Sequence, residues 1–283
     1  MASDTKAPSL AGPSVCATSL PLGGAPHSAD PPVDLTTALE GRLEEGRATG
    51  RLNLGYLGLN TLPSGAVTAA LEVEVGGRRL VELDLSSNGL VDLPAELSAL
   101  SSLTLLRLKY NALTMLPRAL ATLPRLAVLE ADSNRVAVLD VRALAGMTAL
   151  RSIDLSGNGM RSIEGLEDCK PLSSLEKLAL GANALGPALP PALASALPNL
   201  LQLDISSNGL AELPQTLSSL ARLQRLDAKN NEGLGRLPPQ LGLLPGLKAL
   251  DTRGCRLVPR YQASGGRAPS LELDSQQGIV VPY

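Results

Sequence analysis

Residues 83–90 read Leu-Asp-Leu-Ser-Ser-Asn-Gly-Leu, and close copies of this octapeptide return at 153–160 and at 203–210. Weaker copies lie between and after them, each with Asn or Cys at the sixth position. These positions are Asn88, Asn111, Asn134, Asn158, Asn183, Asn208, Asn231 and Cys255. Their separations are 23, 23, 24, 25, 25, 23 and 24 residues. A chain that keeps one phase in this way is built from repeats of one structural unit.

The alternating leucines of each copy predict a short strand with one face turned towards the core. Because these strands recur only every 23–25 residues, a tight hairpin cannot connect them, and we expect them to be parallel. The Asn-Gly pairs at 88–89, 158–159 and 208–209 would by themselves indicate hairpin turns. Five of the eight copies lack Asn-Gly, however, and still keep the period. A single unit cannot offset the entropy of ordering its backbone, so the units are expected to stack on one continuous core.

The pattern L-x-x-L-x-L-x-x-N/C-x-L over about 51–259 resembles the leucine-rich repeat. Most units continue as Leu-Pro-x-x-Leu-x-x-Leu, as at 93–100 and 213–220, a form similar to the intracellular Ras-group-related and Ras-suppressor repeat proteins. Residues 163–167, Ile-Glu-Gly-Leu-Glu, resemble instead the variant of the phosphatase-regulatory repeat proteins. The resemblance implies an α/β leucine-rich-repeat solenoid, a right-handed superhelix with a parallel sheet on its concave face. It comprises about nine units if the degenerate copy at 52–59 is included.

The chain is expected to divide into four segments. They are a disordered Ala/Pro/Ser-rich tail at 1–33, an N-terminal capping helix at 34–50, the repeat domain at 51–259 and a C-terminal tail at 260–283. Asp34 is a plausible N-cap of the helix, and Leu35, Leu39 and Leu43 recur on one helical face. We expect that face to cover the apolar end of the first repeat.

Two alternatives remain for the C-terminal tail. Its apolar stretches, 271–273 and 279–281, either pair with the last strand or stay loose.

The repeating asparagines have a predicted structural role. A short amide both donates and accepts hydrogen bonds, so it can satisfy the backbone groups that are left where a strand turns into a loop. We therefore interpret the seven asparagines as a ladder, and Cys255 as a weak thiol donor in the last position of that ladder.

Composition argues against several classes of function. The formal charge is −2, and Phe and Trp are absent while Tyr occurs four times. We therefore expect neither a basic field for phosphates nor a stacking platform for bases, and no nucleic acid partner. The three cysteines have no metal or disulfide spacing, so neither a metal nor a cofactor is expected. The single histidine, His27, lies in the tail and leaves no basis for a catalytic triad.

The sequence also predicts where in the cell the protein is found. No run of 18 apolar residues and no signal segment is visible in the sequence, so we expect no membrane association. The sequence predicts a cytoplasmic, non-enzymatic protein that is monomeric on its own.

Outward strand positions are expected to line the concave face. The central outward position reads Asp84, Arg107, Glu130, Asp154, Ala179, Asp204, Asp227 and Asp251. This acidic row is interpreted either as solvated consensus residues or as a stripe that attracts a basic partner.

One part of this face departs from the consensus, and it is our predicted partner site. Leu105 and Val128 occupy equivalent outward positions on neighbouring strands, and residue types that dominate binding hot spots surround them. The predicted site comprises Leu105, Arg107, Lys109, Tyr110, Val128, Glu130 and Asp132. The expected function is a scaffold or regulatory subunit that binds a protein there. The alternative is a structural component of a large cytoskeletal or ciliary assembly.

Overall fold

The computed structural model describes residues 35–62 and 79–257. Strands of three residues recur through these ranges, one at each Leu-x-Leu motif and two more between them. They are β1 (Arg51–Asn53), β2 (Glu82–Asp84), β3 (Leu105–Arg107), β4 (Val128–Glu130), β5 (Val138–Asp140), β6 (Ser152–Asp154), β7 (Ser162–Glu164), β8 (Lys177–Ala179), β9 (Gln202–Asp204), β10 (Arg225–Asp227) and β11 (Ala249–Asp251).

Nine of these strands form one parallel sheet in the order β1-β2-β3-β4-β6-β8-β9-β10-β11. The central residue of each strand lies opposite the central residue of the next, as Leu83 lies opposite Leu106 and Leu203 opposite Leu226. The parallel solenoid expected from the period is therefore confirmed. β5 and β7 form a separate two-stranded parallel sheet, which contains the variant unit around Ile163.

Many of the connections between the strands contain a short helical turn, and several of these turns begin directly after a proline. Pro94, Pro117 and Pro214 stand in extended conformation at the start of three of them, because the fixed φ of proline is compatible with the first turn of a helix. The 3₁₀ segments are Ala95–Ala99, Arg118–Thr122, Val141–Leu144, Gln215–Ser219 and Pro239–Leu243, and a short α-helix, α2, spans Leu193–Ala196.

The core is one continuous cluster of aliphatic side chains that runs through all repeats. Leucines directly after the strands, such as Leu85 and Leu108, share this cluster with leucines from the turns, such as Leu97 and Leu120, and all four are almost completely buried. Without Phe or Trp, stability rests on many leucine contacts, each contributing about 1.5–3 kcal/mol when a side chain is fully buried.

The asparagines lie side by side along this core and connect each repeat to its neighbours. Asn231 is 0% exposed. Its Nδ2 atom donates to the carbonyls of Ile205 (3.0 Å) and Ala228 (2.8 Å). Its Oδ1 atom accepts the N–H groups of Asn208 and Leu210, both at 3.0 Å. One amide thus satisfies backbone groups of two successive repeats.

The remaining ladder residues follow the same geometry. The amides of Asn88, Asn111, Asn134, Asn158, Asn183 and Asn208 each donate to a carbonyl of the preceding repeat and accept an N–H group from it. The thiol of Cys255 donates to the carbonyl of Ala228 at 3.2 Å. In the repeat before it, one more residue separates Asn231 from the next leucine than separates Asn208 from Leu210, and the Leu234 N–H donates to the backbone carbonyl of Asn231.

A helix covers the first repeat. α1 spans Leu35–Thr49, and Leu39 and Leu43 pack against the core, partly buried. Nη1 of Arg42 donates to the carbonyls of Asn53 (3.1 Å) and Gly55 (2.8 Å).

These two carbonyls are the groups that would accept N–H groups from a preceding strand. In addition, the Arg51 N–H donates to Oγ1 of Thr49 at 3.1 Å. Side chains next to the strand therefore take the place of a missing repeat along the outer edge of β1.

Several sequence expectations fall outside the described residues. These are the tail at 1–33, Asp34 as the N-cap, and the tail at 260–283.

Candidate protein-binding face

The outward side chains of the nine-stranded sheet form three rows, because the strands are aligned without any shift in register. The first row is Arg51, Glu82, Leu105, Val128, Ser152, Lys177, Gln202, Arg225 and Ala249. The second is Asn53 followed by the eight central positions from Asp84 to Asp251. The third contains the residues two positions further along the chain, Ser86, Lys109, Asp132 and their equivalents.

Leu105 and Val128 lie directly opposite each other on β3 and β4. Both side chains are partly exposed, whereas Leu106 and Leu129 between the rows are fully buried. The two form the only pair of neighbouring large apolar residues in the first row of the described strands. The structure thus brings them together on the outward face.

Charged residues adjoin this apolar pair. Oε2 of Glu130 lies 3.3 Å from Nε of Arg107 and 3.2 Å from Nζ of Lys109. Lys109 also lies 3.7 Å from Oδ1 of Asp132. The four charges therefore neutralise each other across two strands, and they add little net charge to the site.

Asp132 is the most constrained of these groups. Burial, together with the neighbouring Asp154 carboxylate, raises the pKa of Asp132 above its ordinary value, although Lys109 acts in the opposite direction. Its Oδ1 atom is buried and accepts no hydrogen bond from the described residues. Burial also lowers the pKa of Lys109, but the hydrogen bond to Glu130 and the nearby carboxylates outweigh it, so that pKa is raised overall.

Tyr110 lies beyond the strand, in a turn with φ of 53°, and it is 60% exposed. The corresponding residue adopts a positive φ in every repeat of the described chain. These residues are Tyr56, Ser87, Tyr110, Ser133, Gly157, Ala182, Ser207, Asn230 and Gly254. In this left-handed conformation the chain turns out of the strand, so the tyrosine ring stands at the rim of the concave face.

Other exposed apolar residues were not predicted from the sequence. Tyr56 is 81% exposed and Met115 is 64% exposed, and Val91 and Val138 are exposed as well. The signal for Tyr56 was present, since it stands immediately before the ladder position, as Tyr110 does. Tyr56, Tyr110 and Met115 all belong to the first three repeats, the third of which contains Leu105.

The acidic row has a structural use that was not foreseen. Oδ1 of Asp84 accepts the N–H of Ser86, and Oδ1 of Asp204 accepts that of Ser206, both at 2.9 Å. The same bond is formed by Asp154, Asp227 and Asp251. Each aspartate therefore stabilises the turn that follows its strand. The second oxygens of Asp227 and Asp251 also accept hydrogen bonds, from the side chains of Lys229 and Arg253.

In 35–62 and 79–257, no three His, Cys, Asp or Glu side chains are grouped so that they could hold a metal ion. The helices within these ranges are also too short or too polar to cross a bilayer.

Comparisons with known proteins agree with the repeat architecture. The leucine rich repeat family matches residues 78–136. Dynein regulatory complex subunit 7 of Chlamydomonas reinhardtii is 52% identical over 73 residues, which are 26% of this chain and 6% of that protein. This chain therefore matches only a small part of that relative.

Two solved structures show the same fold. The Drosophila Toll–Spatzle complex superposes with a TM-score of 0.55 at 20% identity, over 72% of this chain and 30% of that one. The complex of TLR13 with ssRNA13 gives a TM-score of 0.54 at 27% identity, over 64% and 27%. The spacing of the leucines, the asparagine ladder, the parallel sheet and these similarities agree, and the chain has the α/β solenoid fold of leucine-rich-repeat proteins.

Proposed function

We propose that this chain is a non-enzymatic protein-interaction module, a cytoplasmic scaffold or regulatory subunit, and that its partner protein binds the concave face over β3 and β4. The observation that carries the proposal is the alignment of Leu105 with Val128 on neighbouring strands. It places two partly exposed apolar side chains on a surface that is otherwise lined by polar and charged residues.

The surroundings of this pair support a protein partner. Apolar contacts flanked by Arg and Tyr have the composition of a binding hot spot, and extended concave surfaces are the usual binding surfaces of repeat solenoids. Because Arg107 and Lys109 are paired with Glu130, they are not free to bind phosphates. This pairing favours protein over nucleic acid, although a protein of the same fold binds single-stranded RNA.

A second candidate function rests on one comparison. The relative with 52% identity is a subunit of the dynein regulatory complex. This favours a role for the present chain as a structural component of a ciliary assembly. In that case the same concave face would hold a neighbouring subunit permanently rather than a regulated partner.

The test uses residues that the other repeats already carry at the same positions. Leu105→Gln copies Gln202 of the first row, and Tyr110→Ser copies Ser87 and Ser207 at the left-handed turn. The backbone should therefore tolerate both changes. We expect the double variant to keep its circular dichroism spectrum and melting temperature. Partner binding should fall by at least about thirtyfold, since a hot-spot truncation costs about 2 kcal/mol or more.

A matched control lies in the distant repeats. Asp204→Asn with Asp227→Asn keeps the oxygen that accepts the turn N–H. It removes both negative charges and, at Asp227, the oxygen that accepts a hydrogen bond from Nζ of Lys229. This variant should weaken binding mainly at low salt. If the folded Leu105/Tyr110 variant recovers its partners from native lysate as well as the wild type, the site over β3 and β4 is wrong.

Two further measurements separate the alternatives. Elution of the native chain with a very large complex in size exclusion favours the structural component, and elution with a small exchangeable complex favours the regulator. Titration of the pure protein with a single-stranded RNA oligonucleotide tests the nucleic acid alternative, and saturable binding that is lost in the double variant would contradict a protein partner.

A further inference from the structure

The two edges of the nine-stranded sheet differ. Within the sheet, the residue after each strand donates its N–H to the last residue of the next strand. The final case is Ala228 to the carbonyl of Asp251, at 2.8 Å. The residue two positions further on also donates its N–H to the next repeat. In the last pair of strands, the N–H of Asn230 donates to the carbonyl of Arg253 at 2.7 Å. Each of the eight neighbouring pairs of strands forms both bonds.

The equivalent donors of the last repeat are the N–H groups of Thr252 and Gly254. No residue within 35–62 or 79–257 accepts either of them. Thr252 is only 6% exposed, and a buried N–H without an acceptor is costly and rare. At β1, by contrast, Arg42 and Thr49 satisfy the outer edge. Among the described residues, the edge of β11 therefore lacks the following strand that each of the other eight strands of this sheet has.

The sequence beyond the described residues contains a fitting segment. Leu271-Glu-Leu-Asp274 repeats Val81-Glu-Leu-Asp84, the stretch that contains β2. Leu273 follows Leu250 by 23 residues, which is the period of the repeats. Leu271 follows Cys255 by 16 residues, just as Thr104, the residue before β3, follows Asn88.

The connecting stretch is also suited to the end of a solenoid. Residues 258–270 contain no leucine and carry Arg, Ser, Gly and Pro. A terminal repeat needs a polar outer face because no further unit covers it, and it commonly departs from the consensus.

We infer that residues 272–274 dock along β11 as a tenth parallel strand, with Leu273 beside Leu250. In this register the carbonyl of Asp274 accepts the N–H of Thr252, as the carbonyl of Asp251 accepts that of Ala228. The segment closes the open edge, so that neither a second copy nor a strand of another protein can pair there.

Amide hydrogen exchange of the full chain tests this directly. The Thr252 N–H should be protected in the wild type. Leu273→Asp, which places a charge on the core side of the docked strand, should make it exchange at least about tenfold faster. The Ala228 N–H, one repeat further in, should stay protected in both proteins and so report that the solenoid remains folded.

The matched control is the double variant Val280→Asp/Val281→Asp, which alters the other apolar stretch of the tail. It should leave the protection of Thr252 unchanged. Exchange of Thr252 at the unprotected rate in the wild type would overturn the inference. A second result would also overturn it, namely that Thr252 loses its protection in the Val280/Val281 variant but keeps it in Leu273→Asp. The docked segment would then be the stretch at 279–281.

Discussion

Nη1 of Arg42 lies 2.8 Å from the carbonyl oxygen of Gly55, where the N–H of a preceding repeat would otherwise stand. The guanidinium also reaches the carbonyl of Asn53. A single side chain of the capping helix thus replaces the backbone hydrogen bonds of an absent strand. This explains how the solenoid can begin at β1 without an open edge.

The first prediction concerns this contact. Arg42→Met keeps the length of the side chain but removes its donors, and it should lower the free energy of unfolding by about 1–2 kcal/mol, because two carbonyls lose a charged donor. The measurement is urea unfolding. Arg47→Met is the control, since Arg47 is exposed on the same helix and should change the value by less than about 0.5 kcal/mol. Equal losses in both variants would contradict the capping role of Arg42.

The second prediction concerns the asparagine ladder. Asn158→Ala should cost about 1–3 kcal/mol, because buried groups such as the Val136 N–H and the Ala131 carbonyl lose their partner. Asp154→Asn, on the outward face of β6, keeps the acceptor for the Ser156 N–H and should stay within about ±0.5 kcal/mol. A ladder variant as stable as this control would show that water replaces the amide at no cost.

The third prediction concerns the left-handed turns. Ala182 has φ of 54°, a conformation that costs a residue with a Cβ atom roughly 1 kcal/mol. Ala182→Gly should therefore raise the free energy of unfolding by about 0.5–1 kcal/mol. Ala184→Gly is its counterpart, since Ala184 is equally exposed but has an ordinary φ, and it should lower stability by a similar amount. Thermal melts that shift in the same direction for both would refute the strain.

The fourth prediction concerns pH. Burial, and then the nearby Asp154 carboxylate, raise the pKa of Asp132. The folded state therefore binds its proton more readily than the unfolded state, so this group favours folding more as the pH falls through its folded pKa. At neutral pH its ionised form opposes folding. Asp132→Asn should consequently be more stable than the wild type at neutral pH, and the difference should shrink as the pH is lowered to about 4.

The control is Asp251, a carboxylate whose pKa is shifted in the opposite direction. The hydrogen bond from Arg253 lowers the pKa of Asp251, so the stability it contributes is present at neutral pH and is lost as the pH falls through its folded pKa. Asp251→Asn should therefore be less stable than the wild type at neutral pH, with the difference vanishing in acid. Urea unfolding at several pH values measures the stability change of both variants. If the two changes have the same sign at neutral pH, the opposite pKa shifts of Asp132 and Asp251 are contradicted.

Several features of the site could have been read from local sequence. The bond that each aspartate of the acidic row accepts from the N–H two residues later follows from its place at the end of a strand, since aspartate before a turn commonly accepts that N–H. The position of Tyr56 is equivalent to that of Tyr110, and its exposure follows from the same turn. The pairing of Arg107 and Lys109 with Glu130 could not be predicted, because it depends on the rotamers of side chains that converge from two strands.

The sequence by itself determined the parallel repeat, its period, the inward leucines and the positions of the asparagines. These features recur every 23–25 residues, and each recurrence constrains the same local geometry. The tertiary structure alone decided that Arg42 of the helix reaches Gly55 and that Leu105 and Val128 share a surface with a neutralised cluster of charges. It also decided that the donors at Thr252 and Gly254 are left without a described acceptor. Such relationships depend on which groups are brought together in space and on how far each side chain reaches, and a one-dimensional pattern carries neither.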